Sequence, residues 1–412
     1  MIMGIFQKVK LGDILEALID YRGKTPKKIK FGIPLITAKI VKNGFIDEPK
    51  EFIAESDYNS WMTRGLPQIG DIVLTTEAPL GEVAKIKNSK IALAQRIVTL
   101  RGKQGMLSND YLKYFLTSPV GQGRLKERGT GTTVLGIKQS ELRLVEVDLP
   151  DFQTQIRIAS VLSAYDDLIE NNEKRIKALE EMAQLLYTEW FVKFKFPGHE
   201  KVKMVDSGTE YGMVPEGWEV KRLKDVGRVV TGKTPPTSNL ENFDGEVLFI
   251  KTPDVHGNIF VLETEQTLSE IGASTQSLKL LPAKTVFVSC IGTLGAVGIT
   301  SKTSQTNQQI NALMLNDNSD YCFFYLFAKS LKQRLVGLGS NGATMGNVNK
   351  DKFENINIVY PREEIKNLFF KATANLFDEI LSLQKHNKNL SKTRDFLIPQ
   401  LVTGKRELKN DL

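Results

Sequence analysis

In residues 151–196 the side chains Ile158, Leu162, Tyr165, Ile169, Asn172, Ile176, Leu179, Ala183, Leu186 and Trp190 follow one another at alternating steps of four and three. That spacing predicts a long helix with a single apolar seam, the pattern of a coiled coil. About 40 residues at 1.5 Å each make a rod of about 60 Å. A lobe of ordinary size cannot cover such a length, so the helix requires a partner. Adding 211 to each position gives Phe369, Thr373, Leu376, Ile380, Leu383, Asn387, Leu390, Arg394, Leu397 and Leu401, a second seam weakened at Thr373 and Arg394. The simplest partner is therefore the second copy, running antiparallel within the same chain, with the two lobes near opposite ends of the rod. Asn172 and Asn387 either fix the register or lie at a partly wet edge; the sequence leaves both open. Pro197-Gly198 is expected to end the first helix, and Pro399 to end or kink the second near Ile398.

The rest of the chain repeats at nearly the same period. Pro150 closes "LVEVDLP" and Pro361 closes "INIVYP"; Gly131 matches Gly342. "DIVLTTEAPLGEVAKI" (71–86) matches "TVFVSCIGTLGAVGIT" (285–300), pairing Gly81 with Gly295. "AQRIV" (94–98) answers "QQIN" (308–311), and "DYLKYFL" (110–116) answers "DYCFFYLF" (320–327). The expected fold class is α+β: two tandem mixed α/β lobes, 1–150 and 205–360, each followed by a long helix, 151–196 and 361–405. The helices would pair as an antiparallel coiled coil about an internal pseudo-twofold.

Charge is uneven. Residues 1–150 hold 23 Lys+Arg against 16 Asp+Glu, whereas residues 205–360 hold 14 against 16. The first lobe therefore suits a phosphate-backbone partner, and the second gives no such signal by charge alone. No run of 18 apolar residues exists to span a membrane, and the N-terminus does not read as a secretory signal. Two distant cysteines, Cys290 and Cys322, form neither a disulfide framework nor a zinc site. A cytoplasmic protein is expected.

"GRVVTGKT" (227–234) spells the P-loop pattern of nucleotide hydrolases. A functional P-loop follows a buried strand and opens a helix, but here a charged segment precedes it and Pro235-Pro236 follows. In the first lobe the matching "LIDYRGKTP" lacks the first glycine, at Leu18. What the lobes share is a basic Gly-Lys-Thr-Pro turn: Gly23 to Pro26 and Gly232 to Pro235. His199, His256 and His386 have no nucleophile at motif spacing, and Cys290 in "FVSCIG" reads as a packed core thiol. The residues describe a binder without catalytic groups.

Two such lobes with seam helices resemble the specificity subunit of Type I restriction-modification systems. The resemblance is sharpest in "LPDFQTQIRIASVLSAYDDLIENNEKRIKALEEMAQLLYTEWF", in "LIPQLVTGKREL", in the Gly-Lys-Thr-Pro turns, and in "NQQIN" and "AQRIV". It implies that each lobe is a target recognition domain reading one half of a split site on double-stranded DNA. The helices then become spacers that set the gap and dock two methyltransferase subunits, which motor-nuclease subunits join. S-adenosylmethionine, ATP and Mg would belong to those partners, with no cofactor or metal on this chain. A related system with a fused methyltransferase-nuclease is an alternative, as are a P-loop NTPase and a coiled-coil scaffold without DNA. The candidate phosphate contacts are Arg22, Lys24, Lys27, Lys28 and Lys30. Candidate base-facing residues are Arg96, Arg128, Thr130, Thr132 and Thr133 in the first lobe. In the second they are Gln308, Gln309, Ser340, Asn341, Thr344 and Asn347, and Lys233 and Thr234 of the turn are further candidate DNA contacts.

Overall fold

The structure, a computed structural model, describes residues 6–23, 25–131, 133–255, 257–339 and 346–408. The chain divides into two compact units, Met1–Ile169 with Asn389–Leu412, and Glu170–Lys388. Each long helix is thus shared between the unit of the lobe it follows and the other unit.

In the first unit Gln7–Lys10 pairs antiparallel with Glu146–Leu149, and a single helical turn, Leu11–Ile14, leads into the main sheet. That sheet has four antiparallel strands in the order Leu15–Asp20, Ile97–Gly102, Ile72–Thr76, Leu80–Lys85. Ile72–Thr76 is buried along its whole length, which is why it reads Ile-Val-Leu-Thr-Thr with no charged residue and no apolar–polar alternation. Two helices cover the sheet, Asn109–Thr117 and Pro119–Glu127, capped by the Ser108 and Ser118 side chains. Gly121 lets them meet, since a Cβ there would lie 2.1 Å from the Phe115 carbonyl oxygen. A short parallel pair, Ile33–Ile36 with Ala92–Leu93, carries a second small core.

The second unit repeats this plan. Glu219–Arg222 pairs with Asn357–Tyr360, and the turn Leu223–Val226 leads to the sheet. The strand order is Gly227–Thr231, Ile310–Leu315, Val286–Ser289, Val297–Thr300, with Phe260–Val261 added in parallel. Helices Tyr321–Ser330 and Lys332–Gly339 follow, and Phe243–Ile250 pairs parallel with Ser304–Thr306. Gly81 and Gly295, matched by sequence, both sit at positive φ.

The central helix runs Phe152–Tyr187 and continues as a π-turn, Thr188–Val192; the terminal helix runs Glu363–Val402. All twenty seam positions are buried or half-buried. The two weak ones are compensated. The Thr373 hydroxyl donates to the Phe369 carbonyl, and Arg394 donates to Asp166. Two expectations are corrected. The central helix stops at Val192, before Pro197, because Phe194 turns to φ +57. Of the two outcomes expected at Pro399, ending is excluded: the terminal helix continues to Val402, because Ile398, Leu401 and Val402 are held in the core of the first unit. That burial outweighs the loss of one backbone hydrogen bond.

Within the second unit Asn172 donates to Asn387 at 2.8 Å, Arg175 pairs with Glu379, and Tyr187 and Phe191 pack on Phe369. Partner numbers fall on one helix as they rise on the other, so these segments run antiparallel. The paired amides favour the register role for Asn172 and Asn387, because a shift would leave a half-buried amide unpaired. In the first unit the link is ionic. Asp166 accepts from Lys113 at 2.6 Å, Tyr114 at 2.7 Å and Arg394 at 2.6 Å, with all three charged groups nearly withdrawn from water. Tyr325 answers Tyr114 in the second unit, where its ring packs on Phe377 with centroids 5.5 Å apart and its hydroxyl donates at 2.7 Å to Glu180, itself paired with Lys329. Among the described residues no helix is long and apolar enough to cross a membrane.

Burial alone would raise the Asp166 carboxyl, but the Lys113 charge and the bonds from Lys113, Arg394 and Tyr114 hold it below the usual carboxylate range. A depressed folded value means that its stabilisation is complete above the unfolded value of 3.8 and is lost as pH falls through the folded one. Asp166→Asn should cost about 3–5 kcal/mol in urea unfolding at pH 7, since it strands two buried cations. It should also flatten the fall in stability below about pH 4. Retention of the wild-type acid slope would contradict this assignment.

Candidate nucleic-acid interface

The strand Leu15–Asp20 delivers Arg22 to the end of the first sheet. Asp20 accepts from the Arg22 backbone N–H at 2.9 Å and from Nε at 2.7 Å. The other end of the guanidinium donates to the Ile137 carbonyl at 2.8 Å. Arg64, which sequence reasoning missed, donates to the carbonyls of Asp20 and Arg22. The segment reached by Arg22 is a small loop closed by two backbone bonds between Thr130 and Gly136, with Thr133 and Val134 exposed at its tip. Glu77 bridges Gly136 from the other side and pairs with Arg96 at 2.9 Å. Arg96 sits at φ +70 with its side chain in solvent. The fold therefore gathers Arg22, Arg96, Thr130 and Thr133 at one end of the sheet. Arg128 is held by Glu141 at 3.2 Å and Lys28 by Glu51 at 2.8 Å, while Lys27 and Lys30 are exposed on the following loop. Lys24 and Thr132 lie outside the described residues.

The second lobe builds the same end from different side chains. Gly232 passes so close to the neighbouring chain that a Cβ would lie 2.2 Å from the carbonyl oxygens of both Thr306 and Asn307. The Lys233 N–H donates to the Thr306 carbonyl, and the Thr234 hydroxyl to Gln308 Oε1 at 2.9 Å. Gln309 exchanges two bonds with the Asn307 side chain, while its carbonyl accepts from Cys290 N–H. The Arg96 carbonyl accepts from Thr76 N–H in the same way, so Arg96 and Gln309 are structural equivalents. Asn347 pairs with Ile291 where Gly136 pairs with Glu77. Lys233, Thr234, Gln308, Gln309 and Asn347 thus converge; Ser340, Asn341 and Thr344 lie outside the described residues.

Electrostatics adds residues that the sequence did not single out. Lys279 donates to the Thr231 carbonyl at 2.5 Å, and its ammonium is held below the ordinary lysine range by burial and by the charges of Lys233 and Lys350. Lys279 thus lies in the positive field of Lys233 and of Lys350, the latter also 3.6 Å from Glu354. The three lysines come from three separate stretches of a lobe whose net charge is slightly negative, so composition concealed them.

The P-loop match dissolves in this geometry. Its first glycine, Gly227, lies inside a strand, and no helix opens after Thr234; the chain stays irregular until the 3₁₀ turn Leu240–Asn242. The helical N–H cradle that phosphate binding requires is therefore missing at this turn. Cys290 is buried and its thiol is pushed up to about 11 by burial, as a core residue's would be. Among the described residues no group of three His, Cys, Asp or Glu could hold a metal ion.

Gly232→Ala should lower unfolding free energy by about 1–3 kcal/mol, because two backbone carbonyls cannot give way. Gly23→Ala, at φ +91 with nothing within 4 Å, should cost about 1 kcal/mol from backbone conformation alone. Thermal unfolding of the two variants checks the difference, and equal costs would contradict the close approach at Gly232.

A family model described as the Type I restriction modification DNA specificity domain matches residues 3–181 and again 215–391. The HindI specificity subunit of Haemophilus influenzae, from a Type I restriction enzyme, is 32% identical over 373 residues, 77% of this chain and 78% of that protein. The MjaIX specificity subunit of Methanocaldococcus jannaschii is 31% identical over 397 residues, 93% and 90% of the two chains. A crystal structure of a Type-I restriction-modification S subunit from M. genitalium covers 96% of both chains with a TM-score of 0.57 at 16% identity, and so shares the fold. With two matched copies spanning most of its length, this chain belongs to the Type I restriction-modification DNA specificity family.

Proposed function

We propose that the protein is the DNA-recognition subunit of a Type I restriction-modification complex, in which each lobe reads one half of a split target. The observation that carries this reading is the loop cluster built twice on one scaffold from different side chains. In one lobe Arg96, Arg22 and Thr133 occupy it; in the other Gln309, Thr234, Gln308 and Asn347 do. Arginine and the amides are the side chains that pair with base edges, and a common backbone frame with unlike side chains suits two unlike half-sites. Lys233, Lys279 and Lys350 would take phosphates and set position.

The seam helices serve as the spacer between half-sites. Leu168, Met182, Leu185 and Val192 on the central helix, with Leu368 and Phe396 on the terminal one, are more than 40% exposed. Such apolar positions on otherwise polar helices suit the docking of two methyltransferase subunits. Motor-nuclease subunits would complete the assembly in the cytoplasm. S-adenosylmethionine, ATP and Mg would be bound by those partners, and the methyltransferase would extrude the target adenine.

The test is modified-base sequencing of DNA from cells co-expressing this chain with its methyltransferase. Methyl-adenine is expected at one bipartite motif with a fixed gap; an intact complex that methylates no such motif would refute the reading. Inserting one heptad into both helices adds about 10.5 Å and should widen the gap by roughly three base pairs with the half-sites unchanged. Replacing Lys233, Lys279 and Lys350 by alanine should weaken binding to all sequences alike. The slope of log K against log salt should become shallower by up to about 3.

A further inference from the structure

Counting from the glycine of each Gly-Lys-Thr-Pro turn, the ninth residue is Phe31 in the first lobe and Leu240 in the second. The two residues are 82% and 81% exposed, more than any other large apolar residue among those described, with Leu278 next at 79%. Neither sits on a loose loop. Phe31 follows Ile29, which exchanges two backbone bonds with Phe52, and precedes Gly32, whose φ of +147 brings it against the Ile53 carbonyl. Leu240 opens a 3₁₀ turn capped by Asn239 and anchored by Asn242, which donates to the Pro236 carbonyl and accepts from Ser269 N–H. Each lobe thus presents, among its exposed apolar residues, a large one held by a hydrogen-bonded backbone at the same sequence distance from its Gly-Lys-Thr-Pro turn.

The surroundings identify the partner. Lys27, Lys28 and Lys30 flank Phe31, and Pro236, Thr237, Ser238 and Asn239 precede Leu240. A protein interface core excludes lysines, so Phe31, an apolar side chain beside three of them, does not suit one, whereas Leu240 has only neutral and acidic neighbours in sequence. A duplex supplies both needs, phosphates for the lysines and base faces for the ring. Apolar side chains that enter between base pairs unstack the step and kink the duplex. We infer that Phe31 and Leu240 are wedges with which the lobes each unstack one base step at their half-sites, an inference that rests on the proposed DNA-recognition role. Glu241 beside Leu240 opposes phosphate approach, so the first-lobe wedge is the stronger.

The experiment uses the full chain with its methyltransferase on duplexes carrying the motif found by sequencing. 2-Aminopurine is placed at successive positions in and beside each half-site, away from the target adenines. Wild-type complex should brighten the probe at one step per half-site. Phe31→Ala should abolish the signal at the first half-site alone and raise Kd about tenfold; Leu240→Ala should do so at the second with a smaller rise. Phe31→Trp should retain the signal. Unchanged brightening and affinity in both alanine variants, with the motif still methylated, would overturn the wedges and leave DNA recognition standing. A wild-type complex that binds no bipartite motif would remove the DNA-recognition role itself, and the wedges with it.

Discussion

The whole chain is organised by the need to cover two apolar seams of about 40 residues each, a length near 60 Å that no single lobe can bury. The first lobe takes Ile398, Leu401 and Val402 from the end of the terminal helix into its core. The second takes Ala183, Tyr187 and Phe191 from the end of the central helix. These segments are separated by about the repeat period, so the same solution is used twice. Each compact unit therefore contains chain from both halves of the sequence, and neither lobe's core is complete without the helix that follows the other.

The two solutions differ in chemistry. Asp166 holds Lys113, Tyr114 and Arg394 in the first unit; in the second, Phe377 occupies the matching helix position and packs on the Tyr325 ring, while the Tyr325 hydroxyl donates to Glu180, which also pairs with Lys329. At the start of the terminal helix Lys366 is buried against Asp320 and Tyr360; in the central helix the matching Gln155 bonds the Ser108 N–H and two carbonyls. Buried charge carries a desolvation cost that a neutral amide or ring avoids, but it demands its own partners. Two helix ends built in this way are not interchangeable, so each lobe receives its own completing segment.

The loop clusters follow the opposite rule: backbone contacts are kept while side chains change. Arg96 and Gln309 offer their carbonyls to the same strand end, and Gly136 and Asn347 occupy the same bridge. A frame held by main-chain hydrogen bonds tolerates substitution of what it displays. The Gly-Lys-Thr turn belongs to this frame. In the second lobe its glycine answers to the crowding of Thr306 and Asn307, whereas Gly23 of the first lobe sits in open space at φ +91.

The sequence by itself determined the duplication, the two seams, the strand and helix matches between lobes and the false P-loop, because periodicity and repeat spacing are local properties of the chain. It also placed Arg22, Arg96, Gln308 and Gln309 among the candidates. Only the tertiary structure decided that Pro399 stays helical, since burial of Ile398, Leu401 and Val402 outweighs a local preference. Only it found Arg64, Lys279 and Lys350, which reach the loop clusters from distant stretches of chain and carry no motif. It alone revealed that Phe31 and Leu240 face water, because exposure depends on what the rest of the fold leaves uncovered.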